Sequence, residues 1–135
     1  SWQQRLGLIM HYAHSQGEVR DYIETTVSKA FSSFQAELKR RQIQVKIAQL
    51  EDGLELRVDH QDEMNFIYQV IATQTVVPSF MPDADSPQSY QAEVFLREGG
   101  QGYDVMEWTQ EDLLQDIIDQ YERHLHFLSL VRTPE

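Results

Sequence analysis

Apolar residues recur every three or four positions in two long segments of this chain, which is the spacing of one helical face. The apolar positions of the first segment are Val19, Tyr22, Ile23, Val27, Ala30, Phe31, Phe34 and Leu38. Those of the second are Leu113, Leu114, Ile117, Ile118, Tyr121, Leu125 and Leu128. The pattern predicts amphipathic helices near residues 16–41 and 110–129, each burying its apolar stripe.

Polar residues at the starts of these segments support the two helices. Ser15 and Glu18 have the spacing of a capping box, in which the serine side chain accepts from a backbone N–H and the glutamate reaches back. Thr109 is a good N-cap for the second helix, and Glu111 and Asp112 suit the positive end of its dipole.

Between the helices the apolar pattern changes to alternation, which predicts strands. The predicted strands begin near Ile43, Leu54, Asn65, Tyr90 and Tyr103, and an earlier one covers residues 6–12. The strand from Asn65 carries apolar residues on both faces, which favours a central place in the sheet.

Glycine and proline mark the turns. Asp52-Gly53 lies between two alternating segments and predicts a hairpin, since glycine adopts positive φ at little cost. The segment Gly99–Gly102 predicts a second turn, and the proline-containing segment 78–89 predicts an exposed loop. Because no lysine follows Gly102, a phosphate-binding loop is disfavoured.

The order of the elements is strand, helix, four or five strands, helix. Two amphipathic helices each need an apolar surface to cover, and an antiparallel sheet with one apolar face provides it. We therefore expect an α+β fold: a two-layer sandwich with a mostly antiparallel sheet of four to six strands and both helices on one face. A chain of 135 residues is one domain by length, so residues 1–135 are expected to form it.

The formal net charge of −11 makes nucleic acid an improbable class of partner, because phosphate binding needs a basic surface. There are no cysteines, which excludes disulfides and thiol chemistry and fits a reducing compartment. No apolar run approaches the roughly 20 residues that span a bilayer.

No pattern in the sequence predicts a catalytic centre, a metal site or a bound cofactor. His124 and His126 are two residues apart and cannot share a helical face, while His60 is isolated in sequence. The serines Ser32, Ser33 and Ser79 lack the context of a catalytic nucleophile. We therefore expect a protein that is not an enzyme, with histidines in structural or surface positions.

Two charged groups are candidates for regulatory contacts. Asp112, Asp116 and Asp119 run down one side of the second helix, and the alternative is an ordinary solvated face with a weak Asp119–Arg123 ion pair. The basic run 39–41, which consists of Lys39, Arg40 and Arg41, could contact anionic lipid, and the alternative is favourable charge at a helix end.

Several segments together resemble a known family. They are EVFLREGGQGYDVM from residue 93, DQYERHLHFL from residue 119, WQQRL from residue 2, LELRVDH from residue 54 and FIYQV from residue 66. The chain resembles in these segments the cytosolic C-terminal domain of BetT-type choline transporters, members of the betaine–carnitine–choline transporter family.

The resemblance implies a soluble regulatory domain on the cytoplasmic face of the bacterial inner membrane, with the transporting part outside this chain. It implies that the domain modulates choline or glycine betaine transport in response to osmotic stress. The implied partners are the membrane-embedded part of the same transporter, its cytosolic loops or inner-leaflet lipids, with oligomers forming through the full transporter. The alternative is a stand-alone module for a small cation such as choline, held in an aromatic cage formed from Trp2, Trp108 and the six tyrosines of this acidic chain.

Overall fold

The computed structural model of this protein is a five-stranded antiparallel sheet with helices packed on one face. It describes residues 1–3, 14–60, 63–75, 89–97 and 100–132. The expected α+β two-layer sandwich is confirmed. The predicted strand at residues 6–12, most of the predicted loop at 78–89 and the serine at position 79 lie outside the described residues.

The first predicted helix is present but has three parts. Helix α1 covers Gln16–Tyr22, a π-helical segment covers Ile23–Val27, and helix α2 covers Ser28–Arg40. The backbone N–H of Ser28 bonds to the carbonyl of Ile23, five residues earlier, which is the π pattern. Thr25 Oγ1 also donates to the Asp21 carbonyl at 2.7 Å. All eight apolar positions of the predicted stripe are buried.

The ends of this helical segment follow local chemistry. The Glu18 N–H donates to Ser15 Oγ at 3.1 Å, as the capping-box spacing predicts. At the other end Gln42 adopts a φ of 63°, while its N–H bonds to the Lys39 carbonyl and that of Ile43 bonds to the Leu38 carbonyl. This pair of bonds is a Schellman motif, with glutamine in the place that glycine usually occupies.

The strands follow one another through the sheet in sequence order: β1 Val45–Leu50, β2 Gly53–Val58, β3 Phe66–Thr75, β4 Ser89–Leu96 and β5 Tyr103–Asp104. Strand β3 is central, as its apolar residues on both faces predicted. Helix α3 covers Gln110–Arg132 and begins at the predicted cap Thr109.

The hairpin between β1 and β2 forms at Glu51-Asp52, but the positive φ expected of Gly53 was wrong. Gly53 is the first residue of β2 and does not adopt positive φ. A Cβ at this position would collide with the Val70 carbonyl oxygen and lie 2.9 Å from the Ile71 Cα. The glycine therefore permits the close approach of β3.

The core lies between the inner face of the sheet and the helices. The Phe31 ring of α2 meets the Tyr68 ring of β3 edge to face at 6.0 Å, and the Tyr68 hydroxyl donates to Asp116 of α3. One inner-face residue thus contacts both helical segments, which places them on the same face. Phe34 of α2 and Tyr121 of α3 also pack edge to face at 5.7 Å.

Helix α3 is rotated relative to the predicted stripe. Leu113, Ile117 and Leu128 are buried, but Ile118 is 47% exposed and Leu125 is 37% exposed. His124, which was not assigned to the stripe, is only 4% exposed. The expected burial of Ile118 and Leu125 was wrong, because the helix turns its His124 side toward Phe66 in the sheet.

Candidate regulatory surface

We call Asp112, Asp116 and Asp119 the acidic row of α3. The first of them takes part in capping the helix. The Asp112 N–H donates to Thr109 Oγ1 at 3.1 Å, and the Thr109 N–H donates to Asp112 Oδ2 at 3.0 Å. This is the reciprocal pairing of a capping box, with aspartate in place of glutamate. Asp112 is exposed, so its charge still faces solvent.

Asp116 is held by two tyrosines from the sheet. The hydroxyl of Tyr68 in β3 donates to Asp116 Oδ2 at 2.7 Å, and that of Tyr103 in β5 donates to the same oxygen at 2.5 Å. Gln120 Nε2 lies 3.4 Å from the Tyr103 hydroxyl. We call Tyr68, Tyr103 and Asp116 the tyrosine–aspartate cluster, and it links α3 to two strands.

The pKa values of both tyrosines in this cluster are raised well above the ordinary value. Burial, reinforced by the hydrogen bond to Asp116 and the negative charge of its carboxylate, raises the pKa of Tyr68 far above its ordinary value. The same causes raise the pKa of Tyr103. Both hydroxyls therefore remain protonated donors throughout the neutral range.

Asp119 is the member of the row with the fewest constraints. It is exposed, and its carboxylate accepts from Gln115 Nε2 at 3.2 Å within the same helix. Among the described residues no ion pair joins it to Arg123, although their spacing permits one. Its negative charge is accordingly available to a partner.

The three aspartates share one shallow depression with an aromatic ring. The depression is lined by Trp108, Asp112, Gln115, Asp116 and Asp119. Trp108 is partly buried against the core and packs on Tyr103 with 6.2 Å between the ring centroids. Its carbonyl lies 2.8 Å from the Tyr22 hydroxyl, so Trp108 folds back onto the body of the domain.

The basic run lies at the C-terminal end of α2, where it was expected. The Arg40 and Arg41 side chains are 81% and 69% exposed and approach the two carboxylate oxygens of Glu37 at 3.3 and 3.5 Å. Lys39 is also exposed. Ion pairs with this exposure contribute little to stability, so the guanidinium groups can exchange partners readily.

A histidine–aromatic cluster near the end of β2 and the start of β3 was not predicted. The His60 ring stacks on Tyr121 with centroids 5.7 Å apart and lies 5.9 Å from His124. His124 Nε2 is 2.9 Å from the Met64 carbonyl oxygen. His60, isolated in sequence, is thus not isolated in space, and only the fold brings it to α3.

Across the ranges that the structure describes, no group of three metal-ligating side chains converges. In the same ranges, none of the helices combines the length and the apolar character needed to cross a bilayer.

Comparison with known proteins finds transporters. The chain is 62% identical over 136 residues to the glycine betaine transporter of Acinetobacter baylyi. It is 38% identical over 141 residues to the high-affinity choline transport protein of Escherichia coli K12. It is 30% identical over 141 residues to the osmo-dependent choline transporter BetT2 of Acinetobacter baylyi. No family model matches the chain.

These matches cover nearly all of this chain but only a small part of each relative. Each covers 98% of this chain but only 20% or 21% of the relative, so the chain spans about a fifth of the length of the curated relatives it matches. The resemblance inferred from the sequence segments is thereby confirmed. Almost the whole chain thus matches about a fifth of glycine betaine and choline transporters, as a C-terminal domain of a BetT-type transporter would.

Proposed function

We propose that this chain is a non-catalytic regulatory domain of an osmolyte transporter that moves choline or glycine betaine. In this proposal it lies on the cytoplasmic face of the membrane and adjusts transport to osmotic conditions. The observation that carries the proposal is the match of almost the whole chain to about a fifth of named transporters, one of which is named as osmo-dependent.

The acidic row supplies a means of signalling. Asp112, Asp116 and Asp119 place three carboxylates along one side of α3, where they attract basic loops of the membrane-embedded part. Because the domain is tethered to that part, even weak contacts act at an effective concentration in the mM range. The exposed basic run 39–41 is the corresponding candidate for contact with anionic inner-leaflet lipid.

Salt controls such contacts directly. The Debye length is about 8 Å at 0.15 M ionic strength and becomes shorter above it, so added salt weakens attraction between exposed charges. A rise in cytosolic salt during hyperosmotic stress therefore releases the domain from its contacts, and the transporter responds to the release.

Deletion of the domain from the full transporter tests the proposal. Substrate recognition is assigned to the membrane-embedded part, so the choline KM should stay close to that of the intact protein while the dependence of uptake on osmolality changes. Loss of choline binding in a correctly inserted truncation, or an unchanged osmotic response, would contradict it.

The depression beside Trp108 favours a second candidate, a binding module for a small cation such as choline. An indole ring and carboxylates together attract a quaternary ammonium group. Calorimetric titration of the chain with choline and with betaine, repeated on Trp108→Leu, tests it. Heat of binding that disappears in Trp108→Leu supports this candidate, and the absence of binding heat in the unaltered chain removes it.

A further inference from the structure

The two edges of the sheet differ in how much backbone they expose. Within the described part of the chain, β5 is only two residues long, and His14 forms a bridge to Tyr90 on the same side of β4. Strand β1 at the other edge has six residues in unbroken register with β2. It contains neither proline nor a bulge, two of the devices that keep an edge from pairing, and Lys46 is its one charged residue.

Strand β1 directs alternate backbone groups outward. The Asp59 N–H bonds to the Gln44 carbonyl at 3.4 Å, so Gln44 and every second residue after it face β2. The backbone N–H and C=O groups of Val45, Ile47 and Gln49 therefore point away from β2, toward the free side of the strand. The Val45 carbonyl accepts from Gln35 Nε2 at 2.9 Å, whereas the groups of Ile47 and Gln49 face the edge.

Two clefts run between this edge and the helices. The one near the hairpin is lined in part by Ile23, Gln49, Leu50 and Leu54. The one near the start of the strand is lined in part by Ala36, Lys39, Ile43 and Val45. A strand added beside β1 would direct its inner side chains into these clefts, as in recognition by strand addition.

The charges along the β1 edge are complementary to those of a second β1 strand in antiparallel orientation. Lys46 near the start of β1 is 59% exposed, and Glu51 and Asp52 at its end are both exposed. Antiparallel pairing of β1 with another β1 places the basic end of each against the acidic end of the other. An unrelated strand gains the same backbone bonds but lacks this complementarity.

We propose that two copies of this chain associate through antiparallel pairing of their β1 edges, which joins the two sheets into one around a twofold axis. Pairing Ile47 with Gln49 of the second copy uses the outward groups of both residues. It also places the Ile47 side chain, which packs partly against the core of its own copy, beside Gln49 at the hairpin-side cleft of the other copy. Lys46 then lies diagonally across from Asp52 of the second copy, within reach of a long side chain.

The strength of this association is limited by the overall charge. Two chains that each carry −11 repel one another, and a single strand pair buries less surface than a stable interface. The dimer is accordingly expected to be weak. The inference uses only the edge strand, so it stands or falls separately from the regulatory role.

Sedimentation equilibrium of the chain over a range of concentrations tests the proposal. The unaltered chain should show a monomer–dimer equilibrium. In Gln49→Pro the substitution removes an outward N–H and leaves the ladder with β2 intact, so the dimer Kd should rise by about tenfold or more. Circular dichroism and thermal unfolding of this variant verify that it is folded.

A charge exchange provides an independent test. Lys46→Glu places like charges across the proposed interface and should weaken the dimer, while adding Asp52→Lys should restore it. Lys46 also pairs with Asp59 within its own chain at 3.3 Å, so thermal unfolding of each charge variant is measured to verify that it is folded. A chain that remains monomeric up to millimolar concentration, or a dimer that responds to neither the proline nor the charge variants, would overturn the proposal.

Discussion

Asp116 illustrates how a side chain on a helix surface can be part of the structure. Its carboxylate lies on the same side of α3 as that of Asp119, but two tyrosine hydroxyls donate to it from strands β3 and β5. Within the described ranges, the donor to Asp119 is a glutamine of the same helix. The two residues carry the same charge, so they separate the electrostatic role of the row from its structural role.

Substituting each aspartate by asparagine should distinguish these roles. Asp116→Asn weakens the tyrosine–aspartate cluster and should reduce the free energy of unfolding by about 1–3 kcal/mol. Asp119→Asn should change it by less than about 0.5 kcal/mol. Urea denaturation measures both values. Equal effects of the two substitutions would contradict the assignment of Asp116 to the cluster.

At the scale of elements, the close approach of β2 and β3 depends on Gly53. A Cβ at this position would collide with the carbonyl group of Val70, which cannot move without disturbing the ladder. Gly17 in α1 is a matched contrast, because the nearest atom to its ideal Cβ is Ser15 Oγ at 3.9 Å.

Alanine substitution at these two glycines should have opposite effects. Gly53→Ala should reduce the free energy of unfolding by more than about 2 kcal/mol, since backbone must shift. Gly17→Ala should raise it by roughly 0.5–1 kcal/mol, because alanine is the better helix former. Chemical denaturation of both variants checks the pair, and a neutral Gly53→Ala would show that the strands are not so closely packed.

The sequence predicted elements better than it predicted contacts between them. Periodicity placed the helices and strands because local spacing determines which face is apolar. The π-helical segment was missed because its extra residue leaves the apolar spacing readable as one helix. The bond from Tyr68 to Asp116 joins residues 48 positions apart, and no local pattern encodes it. A buried tyrosine facing a helix does, however, indicate the need for an acceptor.

At the scale of the whole molecule, the buried tyrosines couple stability to alkaline pH. Burial raises the pKa of Tyr68 above the ordinary value of 10.0, and burial with the charges of Asp104 and Asp112 does the same for Tyr22. Above that value the folded state binds more protons than the unfolded chain. The contribution of these tyrosines to the free energy of unfolding is therefore fully present below pH 10 and is lost as the pH rises above it.

This dependence can be measured as a slope. For a fully buried residue such as Tyr68, the free energy of unfolding should fall by about 1.4 kcal/mol per pH unit above 10. Tyr68→Phe should show a shallower decrease over the same range. Denaturation at several alkaline pH values compares the two proteins, and identical slopes would mean that Tyr68 titrates normally in the folded state.

The most direct test of the regulatory role is uptake by the full transporter in proteoliposomes, with and without this domain. Internal ionic strength is varied at fixed osmolality, and osmolality is then varied with a neutral solute at fixed ionic strength. We expect the intact transporter to respond to internal salt and the truncated one to lose that response, with choline KM little changed. A salt response that persists unaltered after removal of the domain would contradict the account.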